Sequence, residues 1–431
     1  MAKINERDID FYKETEIRQM ADRYRAEYAL LAEKLAARGV DVNAVKDKIK
    51  AQKIETPSWG YSDSGTRFGA YKQPGSAVTI EEKIADAAQV HKYTGVAPTV
   101  AVHVLWDFPN GLADVENLSD YAKSLGVSIG AINPNVFQDR DYSFGSITNE
   151  DPKVRKMAVD HMIDSIEIGK KLGSDVLSLW FADGTDYPGQ GDFRRRKKYA
   201  EECLKTVYNA MPQSMRMLIE YKPFEPAFYH TDIADWGMSY SFAQKCGPNA
   251  HVLVDIGHHL QGHNIEHTVA FLIDEERLGG FHFNNHKYAD DDLTVGSVNP
   301  YELFLIYNEL VKAEDSPNAN PPIAYMVDQA HVTKAKIDAM IQTIIHIQTA
   351  YAKAMCINRN KLYEAQIGMD VVTAETCMQE AFNIDVEPLL KVAREEMDID
   401  PDPLEAFRAS GYWERMGKER GIRTGAGGVG A

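Results

Sequence analysis

Cysteine is scarce in this chain. Cys203, Cys246, Cys356 and Cys377 are scattered, with no CxxC pair among them. That spacing gives no basis for a disulfide framework, and reduced thiols are expected. Positive charge is also in short supply. Lys and Arg number 47 against 64 Asp and Glu, a formal charge of −17, whereas binding to a phosphate backbone depends on the minority residues. No nucleic-acid partner is expected. No apolar run approaches the ~20 residues needed to span a bilayer, so no membrane association is expected either. The opening segment is charged throughout and has no apolar signal region, which makes the cytoplasm the expected compartment. Nucleophile elbow, P-loop and Ser/His/Asp spacings are missing. A literal GxGxxG at Gly425, Gly427 and Gly430 lies in the tail, with no strand before it and no helix after it to receive a pyrophosphate.

What is present is a globular composition, 44% hydrophobic and 26% charged over 431 residues, arranged as a repeat. Residues 1–53 are helical in pattern, with Ile17, Met20, Tyr24, Tyr28, Leu31 and Leu35 on one face and Gly39 as a stop signal. From residue 54, eight short runs rich in β-branched residues alternate with amphipathic stretches, beginning at Thr56, Thr99, Val127, Ser174, Met215, Ala250, Gly279 and Pro322. Gly126, Gly173 and Gly279 are read as helix stops before the next strand. Eight equal units predict a (β/α)8 TIM barrel over 54–354 in preference to an open doubly wound sheet. Its last helix carries Ile337, Met340, Ile341, Ile344 and Ile345. Residues 355–431 form a charged helical extension with a Gly-rich tail expected to be mobile. Extensions at both ends suggest an oligomer. The Arg194-Arg195-Arg196-Lys197-Lys198 run opens a helix and reads as a solvated or intersubunit face.

In a barrel, catalytic groups gather where the strands end, because the βα loops form one rim. The fifth strand ends in Glu220 and Lys222, the sixth in Asp255 and His258, the seventh gives His282 and then Asp290 and Asp292, and the eighth ends in Asp328. Taken singly, such an Asp reads as a helix N-cap and such a His as a hydrogen-bonded core residue. Taken together, carboxylates converging from adjacent strands would repel one another unless cations sit among them. Glu220, Asp255, His282 and Asp328 make one ligand set. Asp255, His258, Asp290 and Asp292 make a second, with Asp255 bridging. One imidazole per oxygen-rich site suits Mn2+, Mg2+ or Co2+ better than structural zinc. Trp59, His103, Phe137, Trp180 and Lys222 add rings and polar groups that suit a polyol.

The strings PSWG with TRF, VHVLWD, LWFADG, IEYK, EPAFY, VDIGHH, GGFHFN followed by KYADDD, and MVDQ run in order through nearly the whole chain. They resemble the L-rhamnose isomerases of the bacterial, broad-specificity type, within the xylose-isomerase-like barrels. The resemblance implies a homotetramer and two divalent ions per active site, with Mn2+ the typical ion and Co2+, Mg2+ or Zn2+ as alternatives. It assigns the first ligand set to a structural metal and the second to a catalytic one. It further implies that Lys222 polarises the sugar O1, that His103 acts near O5 in ring opening, and that Phe68 walls a neighbouring subunit's pocket. Asn285-His286 departs from the Asp-Ser of the family pattern and bears on the shape of that loop. The implied reaction is reversible conversion of an aldose such as L-rhamnose to its ketose. Two routes are open, a metal-assisted shift of hydride from C2 to C1 or an enediol route with a protein base. With no Glu base beyond the metal ligands the hydride shift is preferred, and Asp328 would move the proton between O1 and O2 by way of water. Rival readings are a ketose 3-epimerase of the same superfamily, with one metal and two glutamates, a metal-dependent phosphodiesterase or endonuclease barrel, and a non-catalytic sugar-binding protein.

Overall fold

The computed structural model describes residues 6–63, 71–224, 229–314, 322–329 and 332–423, with side chains from residue 21 onward. Eight parallel strands close into a barrel in sequence order: β1 Glu55–Pro57, β2 Thr99–His103, β3 Ser128–Asn133, β4 Val176–Leu179, β5 Arg216–Glu220, β6 Ala250–Asp255, β7 Leu278–Phe283 and β8 Ala324–Val327. Closure is made by β1 against β8, where Glu55 pairs with Met326. Strands β4, β6 and β7 are buried along their whole length, because helices cover the outside and side chains fill the inside. Ala101, Ala131, Val176, Leu218, Leu253 and Met326 pack within the barrel beneath Trp59.

Local signals set the connections. Helix Ile80–Thr94 starts on a Thr79/Glu82 capping box and stops at left-handed Gly95. Helix Pro152–Leu172 has proline in its first turn and ends at left-handed Gly173. Gly126 also has positive φ after a helix. Gly279 does not end a helix but lies inside β7, where an added Cβ would fall 2.4 Å from Leu218 and 2.5 Å from His251. The preceding turn is made instead by Glu276, at φ 55°.

Helices Glu6–Ala36 and Val42–Lys50 precede the barrel, and helical segments from Arg359–Ile367 to Tyr412–Arg420 follow it. Tyr24 and Leu35 are buried, with Tyr28 and Leu31 partly so; the side chains of Ile17 and Met20 lie outside the described residues. The two extensions meet: Arg25 pairs with Glu395, and Lys46 and Lys50 with Glu396. The chain then returns to the barrel, where Arg420 and Tyr412 hold the fully buried Asp86 of helix Ile80–Thr94. In the helix Phe193–Ala210 the basic run is not uniformly solvated. Lys198 is 73% exposed but Arg196 only 4%, since its guanidinium faces Asp232 rather than water. The four cysteines are free thiols. Among the described residues no helix is long and apolar enough to cross a membrane.

Candidate metal centre

Parallel register brings the strand ends together. Asp255 pairs with His282 across β6 and β7, and Glu220 with Leu253 across β5 and β6, while Asp328 follows β8 directly. One ligand atom from each of Glu220, Asp255, His282 and Asp328 lies within 4.8 Å of the others, and the same holds for Asp255, His258 and Asp290. His282 Nδ1 is 3.2 Å from Glu220 Oε1, 3.6 Å from Asp328 Oδ2 and 3.8 Å from Asp255 Oδ2. His258 Nε2 is 3.5 Å from Asp290 and 4.0 Å from Asp255. Its Nδ1 is 3.0 Å from the Tyr221 carbonyl, a contact that places the proton on Nδ1 and leaves Nε2 for the centre.

Asp255 is fully buried and Glu220 nearly so. Burial pushes Asp255 up to about 7, with the charges of Glu220, Asp290 and Asp328 adding to the rise. Burial likewise raises Asp292 well above the carboxylate range, and Asp290, Asp328 and Asp255 raise it further. Burial alone would raise Glu220 as well, but His282 and His258 hold it down at about 2. Burial works against charge on His282, yet Glu220, Asp328 and Asp255 push it up to about 9. In this cluster Asp255, Asp292 and Asp328 resist ionisation while His258 and His282 are pushed toward their charged forms, so it calls for positive charge at its centre. Asp290 Oδ1 is buried with no hydrogen-bond partner. The donor set fits divalent cations of the Mn2+, Mg2+ or Co2+ kind.

The Asp290–Asp292 segment divides its labour. Asp291 accepts from the Lys287 and Tyr288 amides at 2.7 and 2.9 Å and so builds the loop. Asp290 and Asp292 turn inward, Asp292 at φ 45°. Asp292 joins neither close ligand group, although the charges of Asp290, Asp328 and Asp255 act on it. The departure at Asn285 has a structural use: its side chain accepts from the amides of Val298 and Asn299 at 2.8 and 2.9 Å, and its backbone pairs with Leu293.

Opposite the carboxylates stands an aromatic wall. The His103 ring lies 4.7 Å from Trp59, 4.1 Å from Trp106 and 5.9 Å from Phe137, and Phe137 lies 4.8 Å from Trp180. Burial pushes His103 down to about 3, so it is neutral at pH 7, and its Nδ1 is buried without a partner. Trp59 Nε1 donates to Asp328 Oδ1 at 2.8 Å. Lys222 Nζ pairs with Asp290 Oδ2 at 2.5 Å and sits 5.4 Å over the Trp180 ring. Phe68, most of the EPAFY stretch and the terminal GxGxxG lie outside the described residues.

Several contributors escape a residue-by-residue reading of the sequence. Asn284 donates to both Asp255 oxygens at 2.9 and 3.0 Å; its only signal is its place one residue past β7. Gly257 gives Asp255 a backbone hydrogen bond at 2.7 Å, and a Cβ there would lie 2.9 Å from Asn284 and 3.1 Å from Asp290. Trp106, inside the VHVLWD string, completes the wall. Asp107 accepts from Ser58 Oγ at 2.6 Å and the His103 amide at 2.9 Å while paired with the fully buried Lys83, which ties Trp59 and His103 to one support.

Residues 85–304 match the family model described as the xylose isomerase-like TIM barrel. A probable sugar isomerase of Rhizobium meliloti (strain 1021) is 41% identical across 94% of this chain and 95% of its own. Another of that description, from Mesorhizobium japonicum, is 40% identical across 93% and 94%. A solved 3-keto-D-glucoside 4-epimerase from E. coli covers 69% of this chain and 99% of its own with a TM-score of 0.50 at 12% identity, a likeness of fold alone. With a closed barrel, a rim of carboxylates and imidazoles, and matches over half the chain by the family model and nearly all of it by relatives, this chain belongs to the xylose isomerase-like TIM barrel family.

Proposed function

We propose that the protein is a cytoplasmic, homotetrameric aldose–ketose isomerase that uses two divalent cations, Mn2+ foremost, and converts L-rhamnose and other aldoses to their ketoses. The observation that carries this is the pair of ligand clusters sharing Asp255. Glu220, Asp255, His282 and Asp328 would hold one ion, and Asp255, His258, Asp290 and Asp292 the other. Bound there, the ions would act as Lewis acids on the sugar's oxygens.

The chain's own groups supply the rest. Lys222, anchored on Asp290, offers its ammonium to O1 and stabilises negative charge on it. Neutral His103 meets the ring-oxygen end of the sugar and assists opening, with Trp59 and Trp106 against its ring. Phe137 and Trp180 present faces to the carbon chain and keep water from C1 and C2. Asp328, oriented by Trp59 and with 25% of its side chain exposed, carries the proton between O1 and O2. The hydrogen on C2 passes to C1 with its electron pair. A 3-epimerase would need a second glutamate at C3, whereas the second cluster here is built of aspartates and histidine, which favours the isomerase.

The test is to supply Mn2+-loaded protein with L-rhamnose and a panel of aldoses and ketoses and to identify the products. Ketose from aldose, lost on chelation and restored by Mn2+, is expected. Epimerisation of ketoses at C3 without aldose turnover would replace this function with the epimerase.

A further inference from the structure

One motif of the sequence has no part in the reaction as described: the basic run at the head of helix Phe193–Ala210. Its buried member makes a cluster of its own. Arg196 donates to Asp232 from Nε at 3.1 Å and from Nη2 at 2.7 Å, to the Phe144 carbonyl at 3.0 Å and to Thr148 Oγ1 at 2.7 Å. Beside it, buried Asp183 accepts from the amides and hydroxyls of both Ser146 and Thr148, at 2.7–2.9 Å. The Asp232 amide donates to the Asp183 carbonyl at 2.8 Å. Arg196 Nη2 also lies 3.5 Å from the Gly184 carbonyl, so three rim loops meet on one guanidinium: those after β3, β4 and β5. These are the loops that follow or carry Phe137, Trp180 and Lys222.

The link to Lys222 is short. Residues 229–233 fold back on the end of β5. The Lys222 amide donates to the Ile233 carbonyl at 3.0 Å, Thr231 Oγ1 donates to the Lys222 carbonyl, and Thr231 also bridges to Gly184. Asp232, held by Arg196, lies between the two residues that grip Lys222. A planar fork with several fixed donors suits such a junction, and a lysine in its place would reach one partner at a time.

We infer that Arg196 is a positioning residue for the isomerisation, acting through Asp232 and the 229–233 return to hold the Lys222 ammonium at Asp290 and beside Trp180. The inference rests on the isomerase reading only for its kinetic consequence. Its structural consequence is tested without activity.

The experiment is competitive acetylation of the folded, metal-loaded protein, read by mass spectrometry at Lys222 and at Lys83, in the wild type and in Arg196→Gln. The expected result is roughly fivefold or faster labelling of Lys222 from local opening, with Lys83 unchanged. Unchanged Lys222 labelling overturns the inference. Where Arg196→Gln opens Lys83 as well, Arg196→Lys, which keeps the charge and loses the fork, is read by the same criterion. In turnover, Arg196→Gln should lower kcat by about tenfold with KM little changed, and add less than about twofold to the loss caused by Lys222→Met. Losses that multiply across the two sites also overturn it. If the wild type yields no ketose, the isomerase reading fails while the labelling still decides the role of Arg196.

Discussion

From β1 to β4 the rim offers rings: Trp59, His103, Trp106, Phe137 and Trp180. From β5 to β8 it offers charge: Glu220, Lys222, Asp255, His258, His282, Asp290, Asp292 and Asp328. Both halves rest on the same strand ends and the same alternation of strand and helix, yet their electrostatics are opposed. Burial pushes His103 of the aromatic half down to about 3, whereas carboxylates push His282 of the charged half up to about 9 despite its burial. A site divided in this way can grip and polarise oxygens on one side while covering carbon on the other. Contacts cross at both seams: Trp59 to Asp328 where β1 meets β8, and Lys222 over Trp180 where β4 meets β5.

The charged half should break hardest at Asp255, the residue common to both clusters. Asp255→Asn is expected to lower ketose formation by about 10³-fold and to reduce Mn2+ content on dialysis, with the unfolding temperature retained or raised because a crowded charge is gone. Asp328→Asn should lower turnover by about 10²-fold or more, as for loss of a proton carrier, and preserve the fold. Near-normal activity would remove Asp328 from the reaction.

Smaller effects sharpen the contrast. Asn284→Ala leaves every proposed ligand in place but removes both side-chain hydrogen bonds on the Asp255 carboxylate and leaves only that from the Gly257 amide, so Mn2+ affinity should fall by about 10–100-fold, measurable by titration calorimetry. Binding should also respond to pH in a fixed direction. Burial opposes charge on His258 and His282, but their carboxylate neighbours raise both above the ordinary value, His282 to about 9. A protonated imidazole must lose its proton to become a ligand. Mn2+ affinity should therefore tighten as pH rises through neutrality, with proton release seen as a dependence of the binding heat on the buffer. Affinity that weakens with pH would contradict this. The mildest change is expected in the aromatic half: Phe137→Leu should raise KM by about 3–10-fold, the value of one ring contact, with Mn2+ content and kcat near wild type.

The barrel and its charged half are legible in the sequence for one physical reason. Strands buried on both faces read as apolar runs, and a carboxylate or histidine at the end of such a run stands out by its desolvation cost. The supports of the site are not legible in the same way. Asn284, Asp107 with Lys83, and Arg196 are ordinary polar residues whose side-chain partners come from other elements more than twenty residues away. Arg196 sits in a basic run that looks uniformly solvated, and its buried hydrogen bonds to Asp232, Thr148 and the Phe144 carbonyl separate it from Lys198. Gly279 looks like a helix stop by position but is required inside β7 by Leu218 and His251.

The most direct test of the divided rim is the number of Mn2+ ions held per chain at equilibrium, counted by elemental analysis after dialysis and repeated for Asp290→Asn. Two ions in the wild type and one in the variant are predicted, with aldose turnover surviving only in the former. A single ion in both, with turnover intact, would contradict a two-cation centre built around Asp255.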